Sequence, residues 1–264
     1  MTHLQNRPVC GVMFRQSCFG DYVNMPMGIE CHPLLCHYLM CKEFTTFDPI
    51  DIKAFIFPVS DYHVCFDRKA LCLVTGLRFG EYFPPSFGFA EFRERMFPFV
   101  SLSRSVSMND LMHMFNNLLH QLSNEDMVRD SLLYILEHGF LGKYPQQPVT
   151  NERMTLVYNL NKFNRYSWGR VIWDFTYKEM CTVFDKIKDH LSPNTPRVGS
   201  RHTYTLQGFV YAFKIWIMET FPNSRIVGSP IPSVIPRAVS YPRMRRLQLP
   251  DCQRILNVTN ICSL

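Results

Sequence analysis

LCLVTGLRFGEY, residues 71–82, is the stretch from which the fold of this 264-residue chain can be worked out. Upstream of it stands Asp67, a residue type that caps helices by accepting a hydrogen bond from a first-turn backbone amide. Within it stands Gly76, which suits the left-handed backbone conformation that ends many helices. The stretch therefore predicts a short buried helix that begins after Asp67, runs through Thr75 and stops at Gly76.

The residues before this helix predict a β-hairpin. Residues 55–66 hold two runs of aromatic and branched apolar residues, separated by a proline, a serine and an aspartate that favour a turn. Further upstream, residues 33–44 predict a short helix with a proline in its first turn. Residues 1–30 show no clear periodicity and are interpreted as irregular, and residues 82–98 are interpreted as a loop with short helical pieces.

Helical patterns dominate after residue 106. Two Ser-x-x-Asp patterns, at Ser107 and Ser123, resemble capping boxes ahead of helices over residues 111–122 and 127–138. Three more helices are predicted over residues 151–163, over residues 177–191 and from Thr205 to the residue before Pro222. The predicted fold class is therefore mainly α (α+β), a helical domain with a small β-hairpin near residues 55–66.

Prolines divide the chain into three predicted regions. Five prolines follow Pro222, and they exclude a long helix in the last part of the sequence. We therefore predict an irregular N-terminal segment over residues 1–30, a helical globular domain over residues 31–222 and a Pro/Arg-rich tail over residues 223–264.

The positive charge of the chain is concentrated at its C-terminal end. The formal net charge is +6, and residues 201–264 hold eight Arg and Lys residues against two acidic ones. Such a region can attract phosphate backbones or acidic partners, but charge alone carries no sequence specificity. A solubilising surface explains the same composition.

Cysteine content and hydropathy bear on the cellular compartment. Ten cysteines in 264 residues are too few for a small disulfide scaffold, and no signal-peptide pattern opens the chain. Free thiols are then the default, as in a reducing compartment. The most apolar run, residues 208–221, is interrupted by Lys214 and Glu219, so no membrane span is predicted. We expect an intracellular protein.

Arginines in the tail form the candidate nucleic-acid site. They alternate with an aromatic ring, a mixture in which cations meet phosphates while the ring stacks on a base. The candidate residues are Arg237, Tyr241, Arg243, Arg245 and Arg246. The alternative interpretation of the same stretch is a solvated, flexible terminus.

A run of Cys and His residues in the predicted helix over residues 33–44 raises the question of a zinc site. On a helix, His32 and Cys36 share a face, as do His37 and Cys41, and structural zinc uses such ligands. The cysteines, however, recur every five residues from Cys31, which turns successive thiols around the helix. Because no second pair of ligands closes a four-ligand shell, no metal is predicted, and no phosphate-binding loop indicates a cofactor.

The dipeptide Asp251-Cys252 resembles the start of a cysteine-peptidase nucleophile turn. Such an enzyme needs a thiol beside a histidine that is oriented by a third group. Gln253 stands where a glycine is expected, and no histidine follows His202. No catalytic residue is predicted.

Four stretches taken in order resemble one plant family. They are residues 71–82, 132–143 (LLYILEHGFLGK), 163–176 (FNRYSWGRVIWDFT) and 204–216 (YTLQGFVYAFKIW). The chain resembles, over residues 20–240, the plant domain of unknown function nineteen eighty-five.

The resemblance carries expectations about function. In that family the domain stands ahead of a SUMO-protease-like cysteine peptidase domain, in proteins of Mutator-like transposon origin. It implies a non-catalytic accessory module, in the nucleus, and transfers no functional residues. Since only about two dozen residues follow Ser240, we expect the peptidase domain to be absent. The predicted function is a non-enzymatic binding or scaffolding module with an unidentified protein partner and an open oligomeric state; the alternatives are nucleic-acid binding through the tail and a cysteine hydrolase.

Overall fold

The computed structural model describes residues 4, 6–24, 33–42, 45–47, 53–80, 91–191, 205–241 and 244–257. The chain forms two compact units, each built from two separate stretches. Unit 1 consists of Met1–Met27 and Arg78–Trp168, and unit 2 consists of Gly28–Leu77 and Gly169–Leu264.

Unit 1 is helical in its described residues. Its helices are α1 (Pro8–Arg15), α4 (Glu91–Met96), α5 (Met108–His113), α6 (Asn124–Tyr134), α7 (Asn151–Tyr158) and α8 (Leu160–Arg165), with a 3₁₀ turn at Gly20–Asn24. Two of these helices continue in other helical geometries: α5 through a π segment (Met114–Leu118) and a 3₁₀ turn (Leu119–Gln121), and α6 through a π segment (Ile135–Phe140).

Unit 2 combines helices with an antiparallel sheet. Its strands are β1 (Thr45–Phe47), β2 (Ala54–Val59) and β3 (Tyr62–Asp67), paired in the order β1-β2-β3. Its helices are α2 (Pro33–Met40), α3 (Arg68–Thr75), α9 (Trp168–Leu191, whose first residue closes unit 1), α10 (Val210–Thr220) and α11 (Leu249–Leu256), with 3₁₀ turns at Pro222–Ile226 and Arg237–Val239.

An aromatic cluster forms the core of unit 2. Phe57 on β2 and Phe66 on β3 are fully buried against Phe213 and Trp216 of α10, with ring centroids 5.0–5.9 Å apart. Aromatic rings bury large areas, so this cluster anchors the hairpin on the helix. The predicted mainly α class and the hairpin near residues 55–66 are confirmed, and β1 adds a third strand.

The predicted caps are confirmed in atomic detail. The Asp67 carboxylate accepts a hydrogen bond from the Ala70 amide at 2.8 Å, and Gly76 adopts the left-handed conformation with φ of 66°. The Ser107 hydroxyl accepts from the Asp110 amide while the Asp110 carboxylate accepts from the Ser107 amide, which is a complete capping box. The sequence predicts these caps correctly because each one provides a hydrogen-bond partner for a backbone group at the helix end from within three residues.

The N-terminal segment is more ordered than predicted. Pro8–Arg15 forms α1 inside the stretch that the sequence presents as irregular. No side chain caps the N-terminus of α1, so packing contributes most of the stability of this short helix. The following Phe19 contributes directly to the core, since its ring meets Phe140 at 4.9 Å and Phe163 at 5.6 Å.

Several helix bounds differ from the prediction. The helix predicted over residues 151–163 is interrupted at Asn159, whose extended backbone ends α7 and whose side chain caps α8. Helix α9 begins nine residues before the predicted start at residue 177, at Trp168, whose indole donates to the Phe163 carbonyl. Helix α10 begins at Val210 instead of Thr205. Gly208, two residues before the start of α10, has a φ of 91° and lies directly against Thr176.

Candidate binding surfaces and buried ionisable groups

Helix α3 is buried on one side and carries an exposed leucine on the other. Leu71 and Val74 face the core with no exposed surface, whereas Leu73 is 56% exposed. A Cβ on Gly76 would lie 3.1 Å from Pro236 Cβ, so the chain around Pro236 packs closely on the end of α3.

Further apolar side chains are exposed in the loop that precedes Pro236. Ile235 is 80% exposed and Ile231 is 44% exposed, and the Ile231 amide donates to the Ser240 carbonyl at 2.8 Å. Helix α3 packs against the 3₁₀ turn Arg237–Val239, which follows Ile235 and Pro236 in the chain. We call Leu73, Ile231 and Ile235 the Leu73 surface. Where exposed apolar side chains form one patch, they mark protein-binding sites, which makes these three side chains candidates for such a site.

The described part of the tail belongs to the folded structure of unit 2. Tyr241 is buried, and its hydroxyl donates a hydrogen bond to Glu219 at the end of α10. Burial, reinforced by this carboxylate, raises the pKa of Tyr241. The Arg237 guanidinium lies 3.3 Å from the other carboxylate oxygen of Glu219. Two of the predicted nucleic-acid residues are therefore engaged by one buried acid of their own chain.

Arg245 is also held by internal contacts. Its guanidinium donates to both carboxylate oxygens of Asp251 at 2.7 and 2.8 Å and to the Ile226 carbonyl at 2.9 Å. The hydrogen bond from Arg245 lowers the pKa of Asp251 to about 2. Asp251 also caps α11 by accepting from the Gln248 amide. The Asp251-Cys252 dipeptide is thus the first turn of a helix, and Cys252 is fully buried with a pKa raised by burial.

Three arginines of the described C-terminal region extend into solvent. Arg225, Arg246 and Arg254 are exposed, and none of them forms an ion pair within the described part of the chain. Helix α11 packs against the 3₁₀ turn that carries Arg225, and the Asn223 side chain donates to the Arg254 carbonyl at 3.0 Å. We call these three residues the basic surface. Arg243, the remaining predicted nucleic-acid residue, lies outside the described residues.

The cysteine-rich helix divides its thiols between core and surface. Cys36 is buried, whereas Cys41 is exposed with its Sγ 3.4 Å from His37 Nε2. Burial lowers the pKa of His37 and raises that of Cys41. Among the described residues no three His, Cys, Asp or Glu side chains gather as a metal site, and Cys31 and His32 lie outside those residues.

Unit 1 contains two buried acids in opposite situations. Glu137 is fully buried between Lys143 at 2.8 Å and Arg153 at 2.9 Å. Asp130 is also fully buried, but neither of its carboxylate oxygens has a hydrogen-bond partner. Burial, and secondarily the charge of Asp126, raise the pKa of Asp130 well above its ordinary value. Asp130 is therefore protonated over a range in which an ordinary aspartate is ionised.

Sequence reasoning missed Asp130 and the Leu73 surface for different reasons. The position of Asp130, between apolar residues of a helix that is buried nearly all round, is a signal that periodicity could have used. The Leu73 surface joins two distant parts of the chain, so no local pattern reports it.

The fold is a mainly helical one with a small antiparallel sheet, and one comparison identifies its family. Residues 49–179 match the domain of unknown function DUF1985, the family that the sequence resembles. The chain therefore contains a DUF1985 domain, which extends from just before β2 into α9. The resemblance noted for residues 204–216 lies beyond the matched region. No curated protein and no solved structure matches the chain.

Within the described residues, no helix combines the length and apolar composition that a membrane crossing requires.

Proposed function

We propose that this chain is a non-catalytic protein-binding module of a plant transposon-derived protein, and that it works in the nucleus. The observation that supports binding most strongly is the Leu73 surface. Exposing leucine and isoleucine side chains to water is unfavourable by about 25 cal/mol for each Å² of apolar area, and a partner that covers them recovers this free energy. A role for Cys252 as the nucleophile of a cysteine hydrolase is disfavoured, because its thiol is buried and burial raises its pKa.

The experiment is a pull-down from nuclease-treated plant nuclear extract with the full chain and two double variants. Leu73→Ser/Ile235→Ser alters the Leu73 surface. Phe99→Ser/Leu102→Ser is the matched control, since both side chains are exposed apolar residues of unit 1. We expect the wild type and the control to retain the same proteins and the Leu73→Ser/Ile235→Ser variant to lose them. Equal retention by all three chains would refute the proposal.

A second candidate function, nucleic-acid binding, is favoured by the basic surface. Arg225, Arg246 and Arg254 are exposed, whereas Arg237, Tyr241 and Arg245 are engaged internally. If this function operates, the exposed arginines are the ones that reach phosphates. Each phosphate contact that is lost reduces the slope of log affinity against log salt by about 1.

The test compares two triple variants for binding to labelled duplex DNA and to RNA across a salt series. Arg225→Ala/Arg246→Ala/Arg254→Ala removes the basic surface, and Arg68→Ala/Lys69→Ala/Lys178→Ala removes three exposed charges elsewhere on unit 2. Weakened binding with a smaller salt slope in the first variant alone supports this function. Identical behaviour of the two variants would exclude the basic surface.

A further inference from the structure

The exposed face of helix α3 carries two cations beside Leu73. Lys69 precedes Leu73 by four residues, so their side chains lie on the same face of the helix one turn apart, and Arg68 directly precedes Lys69. All three residues are exposed. The opposite face of the helix is buried in unit 2 through Ala70, Leu71, Val74 and Thr75.

Both cations lie where the helix dipole disfavours positive charge. Helix α3 begins at Arg68, so Arg68 and Lys69 occupy its first turn, and no acidic residue stands in that turn. The Asp67 carboxylate accepts a hydrogen bond from the Ala70 amide, and neither cation forms an ion pair with an acid in the described part of the chain. Arg68 and Lys69 therefore weaken the helix that they begin. Departures of this kind from local stability are expected at functional sites.

We infer that the exposed face of α3 binds a peptide segment of a partner protein in which acidic side chains stand beside an apolar one. This inference rests on the proposed function, because Leu73 belongs to the Leu73 surface, and it adds the chemistry of the partner. Carboxylates of the partner pair with Arg68 and Lys69, while its apolar side chain covers Leu73, which is 56% exposed.

A peptide fits this face better than a nucleic acid does. Phosphates would pair with Arg68 and Lys69, but they provide no apolar surface to cover Leu73. Bases of a single strand stack on aromatic rings, and α3 contains none. The combination of two cations with a leucine thus favours an acidic segment that also carries an apolar side chain.

Selection from a random peptide library displayed on phage, with the full chain as bait, tests the inference. We expect the selected peptides to place Asp or Glu next to Leu, Ile or Phe. Fluorescence anisotropy then measures the affinity of a selected peptide. Arg68→Glu/Lys69→Glu should weaken its binding about tenfold or more, because charge reversal turns two attractions into repulsions. The control Lys178→Glu/Lys186→Glu, which reverses two exposed cations of α9, should leave the affinity unchanged.

Thermal unfolding separates a loss of binding from a loss of structure. Glutamates favour the first turn of a helix, so Arg68→Glu/Lys69→Glu should melt at the same temperature as the wild type or higher. A lower melting temperature would contradict the unfavourable placement of the two cations.

The outcomes of the selection distinguish this inference from the proposed function. Selected peptides that Leu73→Ser fails to bind, but that are neutral or basic or bind equally to Arg68→Glu/Lys69→Glu, would overturn the acidic partner and support protein binding at Leu73. The absence of any peptide whose binding depends on Leu73 would contradict both. Labelled duplex DNA that binds the wild type and not Arg68→Glu/Lys69→Glu, with no peptide selected, would assign this face to nucleic acid and overturn the inference.

Discussion

The guanidinium of Arg245 and the carboxylate of Asp251 form a two-point ion pair, with Nη2–Oδ1 at 2.7 Å and Nη1–Oδ2 at 2.8 Å. Arg245 belongs to the predicted nucleic-acid site and Asp251 to the peptidase-like dipeptide. Instead, each of the two side chains is the hydrogen-bonding partner of the other. The Arg245 amide also donates to the Val227 carbonyl at 2.9 Å. In its described residues, the Pro/Arg-rich tail is thus a structural part of unit 2.

Asp251→Asn should lower the melting temperature of the protein and remove part of its acid sensitivity. The folded-state pKa of Asp251 is lowered from 3.8 to about 2, so its contribution to stability is present above pH 3.8 and is lost as the pH falls toward 2. Melting temperatures of wild type and variant, measured across this range, should therefore converge at the acid end. The exposed Asp185 provides the control, and a decrease in Asp185→Asn equal to that in Asp251→Asn would contradict the structural role of the pair.

Asp130→Asn should become increasingly stabilising as the pH rises. The folded-state pKa of Asp130 is raised, so its protonated form stabilises the fold fully below the unfolded-state pKa. This contribution is lost as the pH rises through the folded-state pKa. Between the two pKa values the wild type should lose about 1.4 kcal/mol per pH unit relative to Asp130→Asn. Urea unfolding at several pH values measures this difference.

Asp126 lies one helical turn before Asp130, and Asp126→Asn should have the opposite effect on stability. Burial alone would raise the pKa of Asp126, but hydrogen bonds from Arg95 and Arg129 outweigh it and lower the pKa. Replacing this carboxylate should destabilise unit 1 at neutral pH. A pH-independent difference in stability between wild type and Asp130→Asn would contradict the raised pKa of Asp130, because it would mean that this carboxyl binds protons equally in the folded and unfolded states.

Glu137→Ala should destabilise unit 1 by about 3–5 kcal/mol, because it leaves two cations without their buried counter-charge. Glu137 is fully buried between Lys143 and Arg153, and the Lys143 ammonium also donates to the Pro148 carbonyl. Urea unfolding measures the loss, and the exposed Glu152 of α7 is the matched control. A loss no larger than that of Glu152→Ala would contradict the role assigned to the cluster.

Gly76→Ala should destabilise unit 2 by about 1–2 kcal/mol, the cost of placing an L-residue in the left-handed conformation. The new Cβ would in addition lie 3.1 Å from Pro236 Cβ. The melting temperature provides the measurement. A neutral substitution would mean that the helix stop tolerates a side chain.

Sequence reasoning succeeded where a structural signal is local. The Asp67 cap, the Gly76 stop and the Ser107 capping box each depend on residues within four positions of one another, so the residue types suffice to predict them. It failed at α1 and at the tail, where packing against residues distant in the sequence determines the structure. Nothing near Phe19 in the sequence indicates Phe140, and nothing near Tyr241 indicates Glu219.

The candidate sites were less predictable than the fold. Composition correctly locates the basic residues, but it cannot separate Arg245, which binds Asp251, from Arg246, which extends into solvent. The pairing of His37 with Cys41 follows from helical spacing, whereas the partnerless state of Asp130 depends on the side chains of neighbouring elements.

The most direct test of protein binding is site-specific photo-crosslinking in nuclease-treated plant nuclear extract. A photoreactive amino acid replaces Leu73 or Ile235 in two separate chains, and Leu102 of unit 1 in a third chain as the control, since its side chain is 65% exposed. The proposed function predicts that the same partner protein is crosslinked from positions 73 and 235 and not from position 102. Crosslinks that are absent at both positions, or that are indistinguishable from those at position 102, would contradict it.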